Sequence, residues 1–95
     1  MSEVIEAAVA ALSEKLVGGF DGSAKFVISG EGAIMVDGAG VRAGDEDADV
    51  TLTADADTFR DMMEGDLDPT SAYMSGRLAI EGDMGTAMQL GGAMG

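Results

Sequence analysis

The sequence predicts an α+β domain in which helices pack on the apolar face of one sheet. Three observations carry this: amphipathic helical stripes open and close the chain, glycine turns separate short alternating segments between them, and no further apolar region is large enough for a second core. With 95 residues, 46% of them apolar, there is enough chain for one compact core, so residues 1–95 are expected to form one domain. Only 4% of residues are aromatic and eight are methionine, which implies a deformable interior of aliphatic and thioether side chains.

Ser2 can cap a first helix whose Ile5, Ala8, Val9, Leu12 and Leu16 fall on one face at spacings of three and four, and Gly18–Gly19 can end it. In the next segment Ala24, Phe26 and Ile28 alternate with Lys25 and Ser29, the pattern of a strand with one buried face. Gly30–Glu31–Gly32 turns the chain into a returning strand over 33–37, and Gly38–Ala39–Gly40 turns it again into a short strand around Val41–Arg42–Ala43. These three predict an antiparallel meander. An acidic loop over 44–49 leads to Val50–Thr51–Leu52–Thr53–Ala54, the clearest alternating strand. Asp55 then caps a helix bearing Phe59, Met62 and Met63, which Gly65 stops. Asp68 and Pro69 stand at the cap and first position of another helix, closed by Gly76. Arg77 to Glu81 reads as a last strand with Leu78 and Ile80 inward, and Gly82–Asp83 starts a final helix through Met84, Ala87, Met88 and Leu90. The end, 91–95, is too rich in glycine to be expected rigid.

Composition excludes several functions. Eighteen acidic residues against five basic ones give a net charge of −13, and the five cations stand singly, so neither nucleic acid nor an anionic membrane surface is an expected partner. Such a carboxylate excess with only two lysines fits a salt-rich cytoplasm, where screening relieves self-repulsion. There is no run long enough to cross a bilayer, the first residues are acidic where a signal peptide is basic, and the expected location is cytoplasmic. Without cysteine or histidine, disulfides, thiolate metal sites and the Ser-His-Asp and Cys-His nucleophile systems are unavailable. No carboxylate stands in a setting that marks it as an acid or base, so the chain is not expected to be an enzyme or to carry a cofactor.

Two loop motifs fail on their own terms. Asp45, Asp47 and Asp49 open like a calcium loop, but Val50 replaces the glycine of its sixth position and Ala56 the glutamate of its twelfth. Gly30–Glu31–Gly32 and Gly38–Ala39–Gly40 lack the third glycine of a dinucleotide fingerprint, Met35 and Ala43 standing there instead. Methionine is more informative: Met62, Met63, Met74, Met84, Met88 and Met94 gather in the last third with Phe59, Leu67, Tyr73 and Leu90. Such a stripe suits either a packed core or a cavity that accepts chains of differing shape.

The segment AYMSGRLAIEGDMGTAMQL, residues 72–90, resembles the pattern of sterol carrier protein type two domains, in which an Ala and a Met precede Gly, Leu, Ile, Gly and Asp at these spacings. Gly22 through Ile28 is similar to that family's first strand, 48–52 to its strand before a helix, and 65–69 to the turn after that helix. The resemblance implies a five-stranded mixed sheet covered on one face by helices, enclosing a hydrophobic tunnel for sterols, fatty acids or fatty acyl thioesters. It implies an intracellular lipid carrier or, alternatively, an accessory module for a lipid- or quinone-processing enzyme. Carried over by segment, the lining would be Phe59, Met62 and Met63, then Tyr73 and Met74, then Met84 and Met88, each equally suited to core packing. Arg60, beside Phe59, is the candidate partner for a carboxylate head group, with Arg42 and Arg77 as alternatives. The sequence ends at Gly95 without a peroxisomal tripeptide.

Overall fold

A computed structural model describes residues 3–16, 20 and 22–94. The expected cap at Ser2 and stop at Gly18–Gly19 lie outside the described residues. In order, the elements are α1 (Glu3–Lys15), β1 (Ala24–Ile28), β2 (Gly32–Asp37), β3 (Gly40–Ala43), β4 (Val50–Ala54), α2 (Ala56–Glu64), α3 (Pro69–Met74), β5 (Ala79–Gly82) and α4 (Met84–Met94).

Strand order in the sheet is β3-β2-β1-β4-β5. The first three strands form the antiparallel meander, β1 and β4 run parallel with Phe26 opposite Leu52, and β5 pairs antiparallel to β4 as the far edge. This makes the sheet mixed and five-stranded. Period-two alternation sends Ala24, Phe26, Ile28, Ile34, Val36, Val50, Leu52 and Ala54 to one face, where Ile5, Ala8 and Leu12 of α1, Phe59 and Met62 of α2, Ala72 of α3 and Leu90 of α4 complete the core. Acidic Glu3 and Glu6 in the first turn of α1 and Lys15 in its last complement the helix dipole. On the opposite face Met35 lies between Lys25 and Arg42 in register and is still 2% exposed. The chain after β3 crosses over it: Gly44 leaves so little room that a Cβ there would lie 3.2 Å from the Met35 Cγ, and Lys25 Nζ holds Asp45 at 2.8 Å.

Helix α2 begins and ends where its sequence dictates. The Asp55 carboxylate accepts from the Thr58 N–H at 2.7 Å, and Gly65 takes the left-handed conformation, φ 83°, that closes the last turn. Two boundaries differ from expectation. The last strand starts at Ala79 rather than Arg77, because the backbone N–H groups of Arg77 and Leu78 both donate to the Ala72 carbonyl, at 2.9 and 3.1 Å, and so belong to the end of α3. Helix α4 continues through Gly91 and Gly92 to Met94, where the composition predicts a loosened end. Two glycines cost a helix about 1 kcal/mol each; buried Ala87 and Leu90, and the packing of α4 on β1, β4, β5 and α1, outweigh that.

Gly82 is required for a different reason. It pairs with Val50 at the sheet edge with φ 112°, and a Cβ there would overlap the Asp49 carbonyl and lie 3.0 Å from the Val50 Cα. That close approach brings the Asp83 N–H to the Asp49 carbonyl at 2.9 Å, and leaves the Asp83 carboxylate to accept from the Gly85 N–H at 2.9 Å at the start of α4.

Candidate functional site

Between α1 and α2 lies a cleft of about 360 Å³, within the range of small-ligand sites. Its α1 wall is Val4, Ala7, Ala8 and Ala11, spaced three, one and three residues apart and therefore on one stripe of the helix. Three of these four carry nothing beyond Cβ, so the volume that leucines would occupy between the helices is left as the cleft. The α2 wall is Ala56, Phe59 and Met63. Ala8 and Phe59, each 3% exposed, make the floor, and Phe59 is in turn seated on the sheet. Its ring meets Phe26 of β1 edge to face.

The rim of the cleft is polar and belongs to α2: Asp57, Arg60 and Glu64. Arg60 Nη2 donates to Asp57 Oδ1 at 3.2 Å, one helical turn back, and both side chains are well exposed. Asp55, just before α2, has its carboxyl held below the ordinary carboxylate range, first by the Thr58 backbone N–H, then by the Thr58 hydroxyl and by the charge of Arg77, with burial acting in the opposite direction. This capping interaction fixes the first turn, which carries Ala56 and Asp57 into the cleft wall.

Of the residues singled out from the sequence, Phe59, Met63 and Arg60 come together at this cleft. Met62 is on the core side of α2, 4% exposed. Tyr73, Met74, Met84 and Met88 are 46, 80, 45 and 76% exposed, and none of them lines the cleft. On α4 it is Thr86, Ala87 and Leu90 that turn inward. The cleft between the first two helices is therefore formed without the side chains of α3 and α4 singled out from the sequence.

The other arginines are engaged elsewhere. Arg77 Nε donates to the buried Thr58 hydroxyl at 3.3 Å and its Nη2 to Asp61 at 3.2 Å, tying the segment after α3 to α2. Arg42 pairs with Asp37 at 3.0 Å on the opposite face of the sheet, and the Ala39 N–H together with this guanidinium lowers the Asp37 pKa. Asp61, Glu64 and Asp66 place carboxylate oxygens within 4.8 Å of one another, but Asp61 already holds Arg77 and the other two are exposed, the arrangement of a solvated helix end.

Val4, Ala7 and Ala11 line the cleft and lie outside the methionine pattern. The signal available in the sequence was the spacing of small residues along one stripe of α1, of which Ala8 is buried, Ala11 half-buried and Ala7 exposed. Among the described residues no helix is long and apolar enough to cross a membrane.

Comparison with known proteins agrees with this architecture. The model of the SCP-2 sterol transfer family matches residues 3–95. Hydroxysteroid dehydrogenase-like protein 2 of Xenopus laevis is 36% identical over 98 aligned residues, covering 95% of this chain and 24% of that protein. The chain therefore spans about a quarter of the length of this curated relative. Among solved structures, sterol carrier protein 2 of Aedes aegypti, in complex with palmitate, superposes with a TM-score of 0.77 at 19% identity, covering 99% of this chain and 96% of that one. The apo form of sterol carrier protein 2 from Yarrowia lipolytica gives 0.68 at 19% identity, covering 95% and 75%.

Proposed function

Because this chain belongs to the SCP-2 sterol transfer family, we propose that it is a non-catalytic, cytoplasmic carrier that holds a fatty acid, fatty acyl or sterol-like ligand by its hydrocarbon part. The observation that supports this most is the cleft between α1 and α2, with Ala8 and Phe59 as its floor and alanine side chains along one wall. Transfer of hydrocarbon from water contributes roughly 0.8 kcal/mol per buried methylene, so ten methylenes contribute about 8 kcal/mol before ordering costs, the scale of micromolar binding. Met63 is half-buried at the cleft edge, and its flexible thioether allows the wall to adjust to chains of different shape. Exposed Tyr73, Met74, Met84 and Met88 belong to the ligand path in this reading only if α3 and α4 move on loading.

The sequence offers neither histidine nor cysteine as a nucleophile or a neutral-pH base. The palmitate complex of the Aedes aegypti protein supports an acyl chain as ligand. Native mass spectrometry of the chain purified from cells should find a retained lipid, and a fluorescent fatty acid should be displaced competitively by unlabelled lipids; absence of both a retained lipid and displacement rejects the carrier function.

A second reading, an accessory module for a lipid- or quinone-processing enzyme, is favoured by the curated relative, of which a region like this chain makes up 24%. It calls for an unloaded cleft and a stable complex with such an enzyme.

A further inference from the structure

We propose that the rim of the cleft selects apolar ligands with an uncharged, hydroxyl-bearing head group and disfavours the free carboxylate of a fatty acid. This rests on the reading of the α1–α2 cleft as the ligand site and adds the property that decides among its ligands.

Charge at the mouth of the cleft decides between the two head groups. Three ionisable side chains border the cleft, Asp57, Arg60 and Glu64. Arg60, the cation to which an acyl carboxylate would turn, already donates to Asp57 at 3.2 Å. Glu64 lies one helical turn beyond Arg60 on the same side of α2. A carboxylate arriving at this rim must take Arg60 from Asp57 and then sit near two carboxylates that have one cation between them. The net charge of −13 on the whole chain adds repulsion of the same sign. A hydroxyl head group meets no such conflict: it can donate to Asp57 or Glu64 and accept from Arg60 without displacing the existing pair. The apolar floor serves both ligands equally, so the difference between them lies in the rim.

One uncompensated charge at about 4 Å in a water-like medium corresponds to about fivefold in affinity. Chain-matched dodecanol and dodecanoate, competing for an uncharged polarity-sensitive dye on the full chain at pH 8 and low salt, should therefore differ by about fivefold in favour of the alcohol. The difference should shrink in molar KCl, because the charges are exposed and screened. In Asp57→Asn, Arg60 is released, and dodecanoate should tighten by about two- to fivefold relative to dodecanol. Glu64→Gln, outside the first turn of α2, should act in the same direction and checks that the effect is not a disturbed helix start. Dodecanoate binding as tightly as dodecanol to the wild type, or no change of their ratio in either variant, overturns the proposal while leaving the carrier function standing. Failure of both ligands to displace the dye overturns the two together.

Discussion

The ring of Phe59 on α2 meets the ring of Phe26 on β1 with centroids 5.5 Å apart and planes at 77°. Both rings are almost wholly buried, Phe26 at 1% and Phe59 at 3% exposure. One contact thus fixes how α2 sits on the central strand and sets the depth of the cleft.

Truncating this anchor should cost much of the fold. Phe59→Ala is expected to destabilise by about 3–5 kcal/mol, against a total of about 5–15 kcal/mol for a domain of this kind. Phe59→Leu should cost far less and stay folded, with a shallower loss of ligand binding. Urea unfolding followed by circular dichroism separates the two; equal stability of Phe59→Ala and wild type would mean that the ring contact does not hold α2.

Filling the cleft should separate binding from stability. Ala11 lines the cleft and is only half-buried, so Ala11→Leu places three further carbons where a ligand chain would lie, without entering the packed core. Ligand affinity should fall at least tenfold with an unfolding midpoint unchanged or slightly raised. Undiminished affinity in that variant would place the ligand elsewhere.

Acid should loosen α2 through its cap. The Asp55 carboxyl has its pKa lowered from 3.8 in the folded chain by the Thr58 N–H. A group whose pKa is depressed by folding gives stability that is complete above its unfolded value and disappears as pH falls through the folded one. The wild type should therefore lose stability progressively as pH falls below the ordinary carboxylate range. Asp55→Asn keeps a capping oxygen but no charge, and should flatten that part of the profile; Asp55→Ala should lower the thermal midpoint at neutral pH as well. Identical acid profiles for wild type and Asp55→Asn would remove this interaction as the cause.

Salt should stabilise the fold. Lys25, Arg42, Arg60 and Arg77 each hold a carboxylate, and screening weakens such pairs, but exposed pairs are worth only about 0–1 kcal/mol each. Repulsion among the remaining carboxylates of a chain at −13 is the larger effect. The unfolding midpoint should rise from low salt to molar KCl. Equal midpoints would mean that the acidic surface carries no adaptation to salt.

Local patterns made the elements legible: the alternation of Val50 to Ala54, the Asp55 cap with the Gly65 stop, and the turns of the meander all lie where short-range chemistry puts them. The parallel pairing of Phe26 with Leu52 and the place of β5 at the edge were not readable, because they join segments separated by many residues, and the second also depends on Gly82 fitting against the Asp49 carbonyl. The lining of the α1–α2 cleft was legible on one side. Phe59, Arg60 and Met63 stood out by chemistry, whereas Ala7 and Ala11 act by the volume they leave empty, which shows in the sequence only as a spacing of small residues in α1. In α4 the smaller Ala87 and Leu90 take the inward stripe, and Met84 and Met88 fall on the outer one, a division that residue type alone does not reveal.

Methyl-resolved NMR of the chain labelled at alanine and methionine, titrated with dodecanol, tests most directly whether the α1–α2 cleft holds the apolar ligand. Saturable shifts are expected at the methyls of Ala8, Ala11 and Met63, with Met74 and Met88 unmoved. Shifts confined to Met74, Met84 and Met88, with Ala8 and Ala11 silent, would contradict the account and move the ligand to the carboxy-terminal helices.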